Sequence, residues 1–368
     1  MAANNAIVRR LPSVQTLGCT TVICSDKTGT LTKNEMCAVE LAYIGANVKD
    51  IKTMQIEEKS YNPNGVVKGL EKKHLAQGSP ILEMSYVCSL NSTAKVAKEQ
   101  GKYVRQGEPT EAALLVGAEK IGHVATDTDF AKDPLPFNKA LEAKIKKIGV
   151  LEFSSERKTM STVFQGLDLN GHKGNQVFLK GAPERVIEKC RTYKTESGDV
   201  KPFDRQEKEQ LLEEVKKLAA KGLRCLASAI IYDGGALAKL TEKNVVEILG
   251  DFSKYNEYES GGTFLGIMCI KDPVRPEVKQ SIKECKTAGI RVIMITGDAK
   301  DTAVAIAKEL SIIDENSNIE KDCWTGQEFQ KLDAQGKIKS LSGYGGKVFS
   351  RVEPSHKREL VEQLIHMD

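Results

Sequence analysis

The sequence predicts an α/β protein in which a large second domain is inserted into a doubly wound parallel sheet. Beyond residue 276, strands alternate with helices, an order typical of a parallel sheet with helices on both faces. Near the N-terminus, the short apolar run 22–24 predicts one more strand of this sheet. Residues 37–270 between these parts follow a different order of segments, so we predict an inserted α+β domain joined by two connections.

The N-terminal strand ends at an acidic residue. Asp26 follows the apolar run, and Lys27, Thr28 and Gly29 come directly after it. Ligands of open α/β sheets bind at the carboxyl ends of the strands. A carboxylate presented there, beside a cation and hydroxyls, suits nucleophilic attack on a phosphoryl group, which would give an aspartyl phosphate. Taken alone, the stretch fits equally well a turn that Asp26 merely caps.

The inserted domain contains both strand and helix patterns. Its predicted elements are strands at 38–44, 148–153, 176–179 and 264–270, and helices at 80–90, from 110, and at 204–220. Asp204 and Glu207 have the spacing of a capping box at the start of the last helix. Residues 251–262 are predicted to be a polar loop, and the proline-bounded stretch 271–276 to be a linker.

The C-terminal part supplies a second strand end with polar residues. Its predicted elements are helices at 277–288, 301–310 and 355–366 and strands at 290–295 and 348–349. Thr296, Gly297 and Asp298 follow the first of these strands and offer a hydroxyl, a backbone N–H and an acid to phosphate oxygens. The alternative is an ordinary strand-to-helix turn with a capping acid.

Composition narrows the function classes. The 54 basic and 50 acidic residues give a net charge of +4, which is too balanced to predict a nucleic-acid partner. Nine scattered cysteines without a C-x-x-C pair indicate reduced thiols, and five histidines lack zinc-ligand spacing. No apolar run approaches the length of a membrane span. From these features, the opening Met1-Ala2-Ala3 and the abrupt end at Asp368, we expect a cytosolic piece of a longer protein.

The run Asp26-Lys27-Thr28-Gly29-Thr30 matches the phosphorylation signature of P-type cation-transporting ATPases, and the stretch from Asn5 to Met36 resembles the sarco/endoplasmic-reticulum calcium pumps. The resemblance implies a haloacid-dehalogenase-like phosphorylation domain, residues 1–36 and 271–368, around a nucleotide-binding domain, residues 37–270. It implies ATP and Mg²⁺ as cofactors and calcium transport through a transmembrane domain. An actuator domain would be a further partner, and the location would be the cytosolic face of the endoplasmic reticulum.

The resemblance also implies roles for individual residues. Catalytic roles are implied for Asp26, Lys27, Thr28, Thr296, Gly297, Asp298 and Lys357. Lys357 resembles the lysine that neutralises the phosphoryl oxygens, and Mg²⁺ would be held by Asp26 and the carbonyl of Thr28. Arg351 resembles a nucleotide-facing arginine. Asp272 and Arg275 match hinge residues that meet the nucleotide when the two domains close.

In the inserted domain, the resemblance implies an adenine pocket. Lys180 and Gly181 belong to the motif whose lysine lies in that pocket, and Phe153 matches the aromatic residue that stacks on adenine. Glu111 corresponds to an acid near the adenine amino group, and Arg224 to the arginine that reaches the β-phosphate. From spacing alone, Phe153 also fits a core residue, and Glu111 an ordinary acid in the first turn of a helix.

Several departures from the pump pattern are visible. Ser155 stands where many animal reticulum pumps have an arginine, and no Walker A motif occurs. The Gly-Asp-Gly-x-Asn-Asp motif, whose acid helps to hold Mg²⁺, is expected soon after Met367 and is not in the sequence. The Thr-Gly-Glu loop of the actuator domain is not there either.

Two other functions remain open at this point. One is a capped soluble phosphatase or mutase of the same core fold, although Thr28 stands where those enzymes place a second acid. The other is a chain that binds ATP without becoming phosphorylated, because the remaining Mg²⁺ ligands are so few.

Overall fold

The structure, a computed structural model, describes residues 12–126, 133–169 and 171–367. The opening residues Met1-Ala2-Ala3, the part of the pump-like stretch from Asn5 to Leu11, and Asp368 lie outside the described residues. The described residues form two compact units. The first unit contains residues 12–34, 220–222 and 272–367, and the second contains Glu35–Ala219 and Leu223–Lys271 apart from its undescribed positions.

Both units contain strands and helices. The strands are β1 Val22–Asp26, β2 Cys37–Ile44, β3 Ile51–Gln55, β4 Lys95–Glu99, β5 Lys102–Gln106, β6 Lys146–Leu151, β7 Thr159–Gln165, β8 Gln176–Gly181, β9 Cys190–Lys194, β10 Val200–Pro202, β11 Arg224–Ile231, β12 Gly262–Lys271, β13 Arg291–Ile295, β14 Cys323–Thr325 and β15 Lys347–Ser350. The helices are α1 Pro12–Gly18, α2 Pro80–Leu90, α3 Pro109–Thr126, α4 Pro136–Glu142, α5 Pro183–Lys189, α6 Arg205–Ala220, α7 Val245–Leu249, α8 Tyr255–Tyr258, α9 Val278–Thr287, α10 Lys300–Glu309, α11 Ile319–Asp322, α12 Gly326–Gln330, α13 Ala334–Leu341 and α14 Pro354–Met367. All the predicted helices and strands are confirmed, with ends shifted by about a turn or less.

The first unit is built on a parallel sheet with the strand order β1-β13-β15-β14 in the described part of the chain. Val292 and Met294 of β13 share an apolar cluster with residues of α9 and α10. Ile293 and Ile295 point to the opposite face, because side chains alternate along a strand, and they pack with residues of α13 and α14. Helices therefore cover both faces, and the doubly wound parallel sheet is confirmed.

The second unit is built on a mostly antiparallel sheet. Its strand order over the described residues is β10-β9-β12-β11-β8-β7-β6, and β2 pairs with both β12 and β3. On one face, Met84 of α2 and Leu114 of α3 pack in the largest apolar cluster with α4. On the other face, Val186 of α5 and Leu211 of α6 pack against the sheet. The predicted α+β architecture of the inserted part is confirmed.

The start of α6 shows how local chemistry fixes a helix end. The Asp204 N–H donates to the Glu207 carboxylate at 3.2 Å, and the Glu207 N–H donates to the Asp204 carboxylate at 2.8 Å. These reciprocal bonds satisfy two backbone donors that a helix start otherwise leaves unpaired. The predicted capping box is thus confirmed.

The prediction of a polar loop at 251–262 is wrong. The chain forms a short 3₁₀ turn at Phe252–Lys254 and then α8, and Tyr255 and Tyr258 are buried. The intervening polar residues conceal a one-turn helix whose two tyrosines face the core. The sequence analysis also did not predict ten further elements of the second unit and five of the first. Most of them are too short to carry a clear periodicity. They are β3, β4, β5, β7, β9, β10, β11, α4, α5 and α7 in the second unit and α1, α11, α12, α13 and β14 in the first.

No helix in the described ranges is both long enough and apolar enough to cross a membrane.

Close packing of α3 against α4 gives a stability test. A Cβ built on Gly122 would lie 2.1 Å from the Phe137 ring, which is buried between the helices. We expect Gly122→Ala to destabilise the second unit by about 1–3 kcal/mol, because the ring must move in a packed core. Thermal unfolding measures this as a lower midpoint. Gly174→Ala is the control, since a Cβ there meets nothing within 4 Å. An unchanged midpoint for Gly122→Ala would contradict the packing of α3 on α4.

Candidate functional site

The turn after β1 presents Asp26 in the first unit. Asp26 ends the strand in extended conformation, and the turn Lys27–Leu31 contains Gly29 at φ 76°. This left-handed conformation favours glycine, which lacks a Cβ. The Thr32 N–H donates to the Lys27 carbonyl at 3.1 Å and closes the turn.

Asp272 and Arg275 hold the same turn. The Thr32 hydroxyl donates to the Asp272 carboxylate at 2.6 Å. The Arg275 guanidinium donates to the Gly29 carbonyl at 2.9 Å, and its backbone N–H donates to the Leu31 carbonyl. Both side chains therefore support the loop that carries Asp26. Their contact with nucleotide stays a prediction.

Two ion pairs organise the carboxyl edge of this sheet. The Lys357 amine of α14 contacts the Asp26 carboxylate, and both side chains are about 40 % exposed to solvent. The Lys27 side chain is buried, and its amine lies 2.5 Å from the Asp298 carboxylate. Asp26 thus has a single cationic partner on this edge among the described residues, and that partner is reachable from solvent.

In the turn after β13, two of the three backbone N–H groups already donate hydrogen bonds within the protein. The Thr296 N–H donates to the Phe349 carbonyl at 2.9 Å, and the Asp298 N–H donates to the Thr296 hydroxyl oxygen at 3.1 Å. Of these three residues, only Gly297 has an N–H without a partner in the described part of the chain. Gly297 is exposed, so its N–H remains available to a phosphate oxygen, whereas Thr296 is only 1 % exposed.

Arg351 lies beside the same turn. Its backbone has φ 49°, and its N–H donates to the Asp298 carbonyl at 3.0 Å. The exposed side chain borders a cleft of about 470 Å³, together with Gly297 and Thr325. The structure therefore brings Arg351 next to the Thr296–Asp298 turn, and its contact with nucleotide stays a prediction.

Oxygen donors near Asp26 suit a hard divalent cation. The Asp26 carboxylate and the Thr28 carbonyl offer such oxygens on one turn, which matches the ligand preference of Mg²⁺. No group of three or more His, Cys, Asp or Glu side chains within the described ranges could hold a metal ion. Mg²⁺ commonly binds through one or two protein oxygens, completed by substrate phosphates and water. The donor set fits that mode of binding.

In the second unit, one cavity of about 590 Å³ collects the predicted nucleotide residues. The predicted residues that line it are Glu111, Phe153, Lys180, Gly181 and Arg224. Leu114, Met160 and Leu226 supply apolar wall. Phe153 is 60 % exposed, so one face of its ring is open to a ligand. A pocket of this size, with apolar walls and few polar groups, is typical of small-molecule sites.

The floor of this cavity is a buried ion pair. The Lys180 amine lies 2.8 Å from the Glu111 carboxylate and also donates to the Asn91 carbonyl. The second oxygen of Glu111 accepts from the N–H and the hydroxyl of Thr93, at 2.9 and 2.6 Å. The Asn91 side chain is itself fixed, since it donates to the carbonyls of Met160 and Phe178. Lys180 is thus locked in place.

The two partners respond differently to burial. Burial lowers the pKa of Lys180, although the Glu111 charge opposes this effect. Burial would raise the pKa of Glu111, but the Lys180 charge and the Thr93 hydrogen bonds outweigh it and lower that pKa. The balance differs because Lys180 is the more deeply buried of the two, so that desolvation outweighs the pair interaction for the amine but not for the carboxylate.

Gly181 is explained by packing. A Cβ at this position would lie 2.3 Å from the Lys158 carbonyl of the neighbouring strand connection. Only glycine therefore lets β8 approach β7 this closely. Its place in the cavity wall follows from this close approach.

Sequence reasoning missed several residues of the cavity. Lys158 and Thr110 line it, and the Arg224 guanidinium donates to the Thr110 hydroxyl at 3.1 Å. Lys158 stands in the same short run as Phe153 and could have been found there. Asn91 and Thr93 could not, because only the fold brings them to Lys180 and Glu111.

Two family models match parts of the chain. Residues 81–277 match a family model described as the cytoplasmic domain N of P-type ATPases. Residues 205–355 match a model described as haloacid dehalogenase-like hydrolase.

Curated relatives cover the chain almost end to end. It is 37 % identical to the endoplasmic reticulum-type calcium-transporting ATPase 2 of Arabidopsis thaliana, over 100 % of the chain and 36 % of that relative. It is 35 % identical to calcium-transporting ATPase 4 of the same plant, over 99 % of the chain and 34 % of that relative. It is also 35 % identical to the endoplasmic reticulum calcium ATPase srcA of Aspergillus fumigatus, over 99 % and 38 %. The chain spans about a third of the length of these relatives and belongs to the P-type ATPase family.

Proposed function

We propose that this chain is the nucleotide-binding and phosphate-accepting part of an endoplasmic reticulum-type calcium-transporting ATPase. Residues 37–270 would form the nucleotide-binding domain, and residues 1–36 and 271–368 the phosphorylation domain. The parent pump would add an actuator and a transmembrane domain, and this part would lie on the cytosolic face of the membrane. The observation that carries the proposal is the Asp26–Lys357 pair at the carboxyl edge of the parallel sheet.

The cavity of the second unit suits the adenine end of ATP. The exposed Phe153 ring offers a stacking surface, and the apolar wall around Leu114 and Leu226 accepts a flat base. Because Lys180 is engaged by Glu111 and Asn91, it acts on the base and not on the phosphates. Arg224, which also lines the cavity, would reach the β-phosphate.

Phosphoryl transfer would use Asp26 as the nucleophile. An Asp26 carboxylate oxygen forms a bond to the γ-phosphorus, and the bond to the oxygen bridging the β- and γ-phosphates breaks, so ADP leaves with that electron pair. Lys357 already contacts this carboxylate, and it balances the charge that the phosphoryl oxygens bring. The Lys27 amine is paired with Asp298, and the Asp26 carboxylate is paired with Lys357.

Mg²⁺, held by the Asp26 carboxylate and the Thr28 carbonyl when the nucleotide is bound, would supply neutralisation of phosphate charge. Thr296 and Gly297 would donate hydrogen bonds to the transferred group. Thr28 cannot protonate a leaving group as a carboxylic acid can, which disfavours a soluble phosphatase.

ATP binding is the first test. We expect the chain to bind ATP in calorimetry and Phe153→Ala to weaken binding roughly tenfold, since stacking on a base contributes about 1–3 kcal/mol. Lys180→Ala should also lose affinity, with folding checked by circular dichroism. Tyr344→Ala removes a fully exposed ring of the other unit and should change nothing. A folded chain that fails to bind ATP would overturn the assignment of this cavity.

Phosphorylation is the second test. With γ-labelled ATP and Mg²⁺, we expect acid-stable, hydroxylamine-sensitive label that disappears in Asp26→Asn, because an acyl phosphate forms only on that carboxylate. Asp301→Asn, an exposed acid at the start of α10, is the control and should keep the label. ATP binding without label would favour the binding-only function, and label that persists in Asp26→Asn would contradict the role of Asp26.

The buried ion pair between Lys180 and Glu111 predicts that stability depends on pH. The pKa of Glu111 in the folded chain is lowered from its ordinary value of 4.5, so the contribution of Glu111 to stability is present above that pH and is lost as the pH falls below it. Wild type should therefore unfold at a higher temperature than Glu111→Gln at pH 6, and the difference should shrink toward pH 3.5. Thermal unfolding at several pH values measures this. A difference that grows on acidification would contradict the pairing with Lys180.

A further inference from the structure

A buried charge cluster lies in the second unit beside the cavity. Glu259 directly follows α8 and is 0 % exposed. Its carboxylate lies 2.5 Å from a guanidinium nitrogen of Arg157 and 3.2 Å from the Lys189 amine. It also accepts hydrogen bonds of 2.8 Å from the hydroxyls of Thr159 and Ser161. One carboxylate thus takes four donors, two of which are cations.

Arg157 connects this cluster to the loop 152–158 between β6 and β7. Its second terminal nitrogen donates to the backbone carbonyl of Glu152, the first residue of the loop. Its guanidinium carbon also lies 4.8 Å from the centre of the Tyr255 ring. Arg157 therefore holds the start of the loop, and Glu259 in turn fixes Arg157.

The next residue in the loop is Phe153. Because its ring is 60 % exposed, few contacts with the protein determine its orientation. The orientation must come mainly from the backbone that carries it. The Glu152 carbonyl belongs to the peptide group immediately before Phe153, so a shift of this carbonyl turns the ring.

The solvation cost of the buried charges indicates that the cluster positions the backbone and does not mainly stabilise the fold. Burying three charged side chains costs solvation energy, and well-packed apolar residues in such places are often as stable or more stable. A guanidinium offers five N–H donors in one rigid plane. Arg157 can therefore anchor on Glu259 with one nitrogen and direct another at the Glu152 carbonyl, which an apolar side chain cannot do.

We propose that Glu259 is a positioning residue of the nucleotide cavity. Through Arg157 it holds the loop 152–158, so that the Phe153 ring is oriented for stacking before the adenine arrives. A ring that is already ordered loses less conformational entropy when ATP binds. This inference rests on the proposed function, since that function names Phe153 as the stacking residue.

The test uses Glu259→Gln in the full chain. Glutamine keeps the size and removes the charge that anchors Arg157. We expect faster amide hydrogen exchange at 152–158 in the absence of nucleotide, and an ATP dissociation constant raised roughly two- to tenfold. Glu83→Gln is the control, because Glu83 is equally buried and lies 2.6 Å from Lys194 but does not line the cavity. Glu83→Gln should lower the unfolding midpoint but leave the amide hydrogen exchange at 152–158 and the ATP dissociation constant unchanged.

A double-mutant cycle separates positioning from general destabilisation. If Glu259 acts through Phe153, Glu259→Gln should cost no further ATP affinity in the Phe153→Ala background. An undiminished loss in that background would overturn the inference. So would unchanged exchange at 152–158 in a folded Glu259→Gln variant.

Arg157→Met is the second variant, for the case that Glu259→Gln does not fold. It leaves Glu259 paired with Lys189. As in Glu259→Gln, amide exchange at 152–158 should be faster and the ATP dissociation constant should be higher than in wild type. If the wild-type chain binds no ATP, the proposed function falls. The exchange at 152–158 still decides whether Glu259 holds the loop.

Discussion

Parallel pairing between β1 and β13 sets Asp26 opposite Ile295 and so determines where the proposed phosphoryl chemistry can occur. The two strand ends then leave the sheet at the same edge, and their polar turns meet. The pair Lys27–Asp298 ties the turns together, and Lys357 from α14 is left for Asp26. A slip of one residue in this register would exchange the faces of β1 and separate these partners.

The second unit uses charge in a different way. A buried ion pair, Lys180 with Glu111, forms the floor of its cavity. A second buried ion pair, Arg157 with Glu259, holds the loop 152–158. Both pairs are also hydrogen-bonded to neighbouring groups. Such groups would destabilise the fold if they were left unpaired. They fix the walls around an open, partly apolar space, which is what a rigid binding site requires. Phe153 is the exposed element of that site, and it depends on the backbone below it.

Much of this could be predicted from sequence because the signals are local. Apolar runs that end in Asp26 or in Thr296, and the capping pair Asp204 and Glu207, specify strands, turns and a helix start within a few residues. The five cavity residues came from resemblance and lie together in the structure. Glu259 and Asn91 were not predicted, because their partners are far away in the chain and only the folded sheet brings them together. The buried tyrosines of α8 were missed because polar neighbours hide a helix of a single turn.

In the proposed function, Asp26 receives the phosphoryl group. The most direct measurement is reduction with borohydride after incubation with ATP and Mg²⁺, followed by peptide mass spectrometry. An aspartyl phosphate is reduced to homoserine, whereas a free aspartate is unchanged. We expect homoserine at position 26 only when ATP is present. Homoserine at another acidic residue, or none at position 26 in a chain that binds ATP, would contradict it.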